Sequence, residues 1–61
     1  MYNYIEMVKI AKVMSGLFDE GCFLGDFARG VLDNPNEYTD DRSQDILLTF
    51  SETRIALGYN D

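Results

Sequence analysis

The strongest secondary-structure signal in this chain lies in residues 4–18, YIEMVKIAKVMSGLF. The apolar residues recur every three or four positions, which is the spacing of a helix face and not the alternation of a strand. They form two adjacent stripes, which consist of Tyr4, Met7, Val8, Ala11, Met14 and Phe18 and of Ile10, Val13 and Leu17. At about 100° per residue, the two stripes cover more than half of the helix circumference. Other elements must therefore cover a wide part of this helix's surface.

The ends of this first helix are marked by residues that cap helices. Asn3 is a good N-cap residue, and Glu6 three positions later completes a capping-box pattern. Gly21 is a natural stop, because glycine readily adopts the left-handed conformation that ends many helices. We therefore predict the first helix over residues 4–20.

Two further helices are predicted in the rest of the chain. Residues 23–32 carry apolar side chains at helical spacing, and the sequence DNPN at residues 33–36 is a strong turn signal. The third helix is predicted over residues 40–57, where acidic residues suit the positive end of the helix dipole and Gly58 supplies the stop. The contiguous apolar residues 46–48 do not alternate with polar ones, which favours a helix over a strand.

The length of 61 residues limits the chain to one small helical domain, residues 1–61. A chain of this size buries only about 60% of its unfolded surface, and such domains are commonly supplemented by disulfides, metals or association. With one cysteine and no histidine, neither an internal disulfide nor a structural zinc site with soft ligands can form within one chain. We therefore expect an all-α three-helix bundle, with homodimerisation or a larger partner as alternative ways to complete it.

Catalytic chemistry has few candidates in this composition. Cys22 is the only thiol and no histidine is present to act as its base, so nucleophilic catalysis lacks its usual partner. We expect Cys22, which is followed by two apolar residues, to be a small buried hydrophobic residue. Paired carboxylates need a cleft for a substrate, and three short helices offer little room for one. We therefore expect no enzyme activity, no cofactor and no metal.

The charge balance favours a basic protein as the partner. The net charge is −6, whereas binding to nucleic acid or to an anionic membrane surface depends on lysine and arginine. The apolar runs are far shorter than the ~20 residues that cross a bilayer, and the first residues lack the basic region of a secretory signal. We expect a cytoplasmic protein that binds neither nucleic acid nor membrane directly.

The candidate contact residues form an acidic segment that leads into the third helix. Five acids fall within thirteen residues, at Asp33, Glu37, Asp40, Asp41 and Asp45. Glu52 continues the acidic face of the helix, and Leu48 and Ile55 lie beside it. Apolar side chains bordered by carboxylates are suited to an interface with a basic protein. Because apolar stripes are ordinarily core, we slightly favour burial of Leu48 and Ile55 and keep their role as partner contacts open.

A second candidate surface lies on the first helix. Ile10, Val13 and Leu17 form the stripe that we expect two short neighbouring helices to leave uncovered. A symmetric dimer across this stripe would bury it.

Two functions compete on these grounds. The first is a non-enzymatic interaction protein that binds and modulates a larger basic protein, such as a nuclease, polymerase or defence-system subunit, and inhibits it by nucleic-acid mimicry. Small acidic inhibitors made by phages and other mobile elements share this size and charge, although no motif links the chain to them. The alternative is a self-associating helical module with a structural or regulatory role in assembly. A helix-turn-helix DNA-binding protein is disfavoured, because its recognition helix would carry Asp41, Asp45 and Glu52 toward phosphate.

Overall fold

Three α-helices make up most of residues 1–58, the part of the chain that the computed structural model describes. Helix α1 spans Tyr4–Leu17, α2 spans Phe23–Asp33 and α3 spans Asp41–Ala56, with a short 3-10 helix at Pro35–Tyr38 before α3. No strand is present in these residues, so the prediction of an all-α three-helix bundle is confirmed. Within the same range, none of the helices is long and apolar enough to cross a membrane.

Helix α1 starts where its capping box predicts and ends earlier than predicted. The Asn3 side chain accepts a hydrogen bond from the Glu6 backbone N–H at 2.9 Å, and the Glu6 carboxylate accepts one from the Asn3 N–H at 3.1 Å. The helix ends at Leu17 rather than at residue 20, because Phe18 has an extended conformation. The Phe18 ring packs edge-on against Phe50 of α3, with 6.2 Å between the ring centroids.

Helices α2 and α3 lie within one residue of their predicted limits at each end. Before α2, Gly21 has a φ of +89°, which glycine adopts without strain. Cys22 is the N-cap residue of α2 and is exposed, so the prediction that it is buried is wrong. Cys22 precedes the first residue of α2 and lies in the exposed connection, so it does not share the face of α2 that packs on α1.

The hydrophobic core lies mainly between α1 and α2. Helix α1 provides four of its described members, α2 three and α3 one: Met7, Ile10, Ala11, Met14, Phe27, Ala28, Val31 and Leu47. Helix α3 contacts α1 less extensively than α2 does, and its buried face includes the polar residues Ser43 and Gln44. Much of the surface of α3 is therefore left to solvent.

Arg29 of α2 holds the end of α1 in place. Its guanidinium donates hydrogen bonds to the carbonyl oxygens of Phe18 at 3.1 Å, Gly25 at 2.9 Å and Ser15 at 3.3 Å. The last carbonyls of a helix have no partner within the helix, and they carry the negative end of its dipole. A cation at this position satisfies them and joins the two helices at their connection.

The connection between α1 and α2 also depends on Gly25. A Cβ atom at this position would overlap the backbone oxygen of Asp19 and would lie 2.8 Å from that of Phe18. The absence of a side chain therefore lets the α1–α2 loop run directly over the first turn of α2. Glycine is required here by the close approach of two backbones and not by an unusual φ angle.

Helix α3 is attached to the rest of the protein by a buried glutamine. The Gln44 side chain accepts a hydrogen bond from the Tyr2 N–H at 2.8 Å and donates one to the Tyr38 carbonyl at 3.1 Å. Its amide nitrogen also lies 3.5 Å from the sulfur of Met7. These contacts satisfy the polar atoms of Gln44, as burial requires.

Candidate protein-interaction surface

Helix α3 presents a ridge of carboxylates to solvent. Asp41, Asp45 and Glu52, which we call the acidic ridge, are all exposed. At 3.6 residues per turn, their positions fall within a sector of about 40° on the helix. The helix directs these charges away from its buried residues Ser43 and Leu47. Three charges on one helix side form a coherent negative surface that a basic partner can approach.

Leu48 and Ile55 lie beside the acidic ridge and are exposed. Their exposed fractions are 45% and 66%, so the slightly favoured prediction that they complete the core is wrong. The buried leucine of this helix is Leu47, and one residue along a helix turns the side chain by about 100°. Helix α3 packs on the bundle along one side only, and Leu48 and Ile55 lie off that side.

A shallow depression of about 430 Å³ extends the ridge toward the N-terminus. Glu6 of α1 lines it together with Asp41, Asp45 and Leu48 of α3. Sequence reasoning assigned Glu6 to the capping box alone, because nothing in the sequence indicates that a residue of α1 meets the first turns of α3. The packing of α3 on α1 thus adds a carboxylate to the predicted surface.

Asp40 has a structural role beside the contact role predicted for it. As the N-cap residue of α3, its carboxylate accepts hydrogen bonds from the Ser43 hydroxyl at 2.6 Å and the Ser43 N–H at 3.3 Å. The Ser43 side-chain hydrogen bond is the main cause that lowers the pKa of Asp40 from its ordinary value of 3.8. Both carboxylate oxygens are engaged by Ser43, so Asp40 caps α3 and also contributes its charge to the exposed surface.

Asp33 and Glu37 are exposed but belong to other elements than the ridge. Asp33 is the last residue of α2, and Glu37 lies in the 3-10 helix. The acidic segment that is continuous in the sequence is therefore distributed over α2, the 3-10 helix and α3. The structure brings Asp41, Asp45 and Glu52 onto one helix side, whereas Asp33 and Glu37 do not share that side.

The stripe predicted for self-association is not one exposed surface. Ile10 is buried in the core, Val13 is half-buried, and only Leu17 is exposed. The prediction is therefore wrong for Ile10, because α3 approaches this side of α1: Ile10 and Val13 line a groove together with Ser51 of α3. Self-association itself is a prediction that this arrangement leaves open.

An apolar groove lies on the side of α3 that faces the loop between α1 and α2. Its volume is about 600 Å³, and Leu17, Phe23 and Leu57 line it with exposed fractions of 59%, 61% and 70%. Asp45 of the ridge and the exposed threonines Thr49 and Thr53 also line it. The rest of the lining is five half-buried side chains: Phe18, Leu24, Ile46, Phe50 and Arg54. No local sequence signal indicates this groove, because its residues come from three separate segments.

The described residues, 1–58, contain no cluster of three or more cysteine, aspartate or glutamate side chains that could hold a metal ion. Comparison of the chain with protein-family models, curated proteins and solved structures finds no match.

Proposed function

We propose that this protein is a non-enzymatic interaction protein of the cytoplasm that binds a larger basic protein and modulates it, most simply by inhibition. The observation that carries the proposal is the exposure of Leu48 and Ile55 directly beside the acidic ridge. When a partner binds, exposed aliphatic side chains lose their contact with water and anchor the complex, and neighbouring carboxylates attract a basic partner. Protein interfaces combine these two kinds of group. The net charge of −6 favours a partner of the opposite sign.

A basic surface that binds nucleic acid is one class of target, such as that of a nuclease, polymerase or defence-system subunit. Along α3, the acidic ridge places charges about 6 Å and about 10 Å apart, at 1.5 Å per residue. A DNA strand carries a phosphate about every 3.4 Å along its axis. The ridge is sparser than a phosphate strand, so we propose electrostatic competition for a basic site rather than an atom-by-atom copy of DNA.

The experiment that tests the proposal is capture of the partner at low salt with a pair of charge-matched variants. Asp41→Asn with Glu52→Gln neutralises two acids of the ridge and leaves the Asp40 cap intact. Asp19→Asn with Glu20→Gln removes the same charge from the exposed loop before α2. We expect one basic protein to be captured in stoichiometric amount by the wild type and the loop variant, and to be lost with the ridge variant.

The salt dependence and the identity of the captured protein complete this test. Exposed charges are screened within about 10 Å at 0.1 M salt, so a ridge-driven complex weakens as salt rises. Equal capture by the ridge and loop variants would contradict the role of the ridge. Capture of an acidic protein, or a complex that is insensitive to salt, would contradict the proposed class of partner.

The alternative function, a self-associating helical module, is supported by the exposure of Leu17 at the end of α1. Sedimentation of the pure protein at micromolar concentration tests it. A dimer that becomes a monomer in Leu17→Glu would favour self-association. A monomeric wild type would leave the interaction protein as the function.

A further inference from the structure

We propose that the apolar groove binds a basic amphipathic helix of the partner, whose cationic side faces the acidic ridge. This inference rests on the proposed function and names the element of the partner that makes the contact. The groove is defined by Leu17 and Phe18 at the end of α1, by Phe23 and Leu24 at the start of α2, and by one side of α3 from Asp45 to its C-cap residue Leu57. Most of its lining side chains are apolar, and Asp45 of the ridge lies at its border.

The side chains of the groove have the character of an interface. Leu17, Phe23 and Leu57 each expose more than half of their surface, although Ile46 and Phe50 behind them are half-buried. Large apolar side chains clustered in this way mark a contact surface, whereas scattered single ones are ordinary. The guanidinium of Arg54 lies 5.9 Å from the centre of the Phe50 ring, so this half-buried cation is placed over an aromatic side chain of the groove.

The shape of the groove favours a helix as the occupant. Its wall on α3 runs from Asp45 to the C-cap residue Leu57. These thirteen residues rise by about 18 Å at 1.5 Å per residue, which is somewhat more than three helical turns. Residues 1–58 contain no strand and therefore no sheet edge with which an extended peptide could pair. An occupant must satisfy its own backbone hydrogen bonds, and a helix with apolar anchors at i, i+3, i+4 and i+7 does so.

The charges select a basic helix rather than a second copy of this chain. Asp45 lines both the groove and the depression at the ridge, so the two features share a border. Lysine or arginine on one flank of the bound helix would lie along Asp41, Asp45 and Glu52. A second copy would instead bring another net charge of −6 to the same surface, and like charges at an interface are strongly unfavourable.

The test uses three synthetic peptides of about four helical turns and the isotope-labelled protein. The first peptide has leucines at i, i+3, i+4 and i+7 and lysines on its flanks. The second has glutamates in place of the lysines, and the third has the composition of the first without its apolar stripe. We expect the first alone to bind, with amide chemical-shift changes centred on Leu17, Phe23 and Leu57, and to bind more weakly as salt rises.

Two equally exposed residues provide a matched pair of variants. Leu57→Ser removes a groove side chain and should weaken binding of the first peptide by about tenfold, as for an interface anchor. Ile5→Ser removes a side chain of similar exposure outside the groove and should leave binding unchanged. The inference is overturned if the first peptide does not bind, if the glutamate or unpatterned peptide binds as tightly, or if the two variants behave alike.

Failure of this inference is distinguishable from failure of the proposed function. The full-length partner captured from cells is tested against Leu57→Ser and the ridge variant in parallel. Loss with both variants supports the groove as well as the ridge. Loss with the ridge variant alone overturns the groove and leaves the proposed function standing. If neither variant reduces capture of the partner, both the groove proposal and the proposed function are overturned.

Discussion

Helices α1 and α2 contribute seven of the eight described apolar core residues, whereas α3 contributes Leu47 alone. The α1–α2 pair is further joined by Arg29, which bonds three carbonyls, and by the close approach at Gly25. Helix α3 is attached through Leu47, the Phe18–Phe50 contact and the hydrogen bonds of Gln44. Helices α1 and α2 therefore provide most of the core, whereas α3, which Leu47 anchors to that core, presents the surface on which the proposed function depends.

The largest expected effect on stability is the difference between substitutions at two adjacent leucines of α3. Leu47→Ala should lower the free energy of unfolding by about 2–5 kcal/mol, because it leaves a cavity where the side chain is fully buried. For a domain of this size that loss is a large fraction of the total stability. Leu48→Ala should change it by less than about 0.5 kcal/mol. Urea unfolding followed by circular dichroism measures both, and similar losses would contradict the orientation of α3.

The next effect concerns two glycines with opposite roles. Gly25→Ala should destabilise the protein by about 1–3 kcal/mol, because the added Cβ overlaps the Asp19 backbone oxygen and cannot be accommodated by a side-chain rotation. Gly16→Ala is the control: the position is helical and nothing lies within 4 Å of the added Cβ. It should stabilise α1 by about 0.5–1 kcal/mol. A neutral Gly25→Ala in thermal unfolding would show that the α1–α2 connection is less closely packed than described.

The smallest effect is the pH dependence of the α3 cap. The hydrogen bond from Ser43 lowers the folded-state pKa of Asp40 below its ordinary value. The contribution of charged Asp40 is therefore fully present above its unfolded-state pKa and is lost as the pH falls through the lower folded-state pKa. Asp40→Asn keeps an N-cap acceptor but does not titrate. Its unfolding free energy should fall less steeply than that of the wild type below about pH 4, and parallel profiles would contradict the role of the cap.

Much of the local structure was predictable because its signals are local. The capping box of Asn3 and Glu6 and the turn at residues 33–36 mark helix limits through residues only a few positions apart. Spacing alone also distinguished helix from strand around residues 46–48. The end of α1 was not predictable in the same way. It depends on Phe18, which meets Phe50 across the bundle, and on Arg29, which is eleven residues further along the chain.

The sequence by itself determined the helical class, the positions of the three helices and the acidic side of α3. Only the tertiary structure decided which apolar residues became surface: it buried Ile10, exposed Leu48 and Ile55, and assembled a groove from three segments. The physical reason is that spacing fixes the angles between side chains on one helix but not the direction that its neighbour takes. When apolar residues cover a wide part of a helix, a neighbouring helix can pack against either edge of that region. The packing of the helices decides which edge is buried and which is exposed.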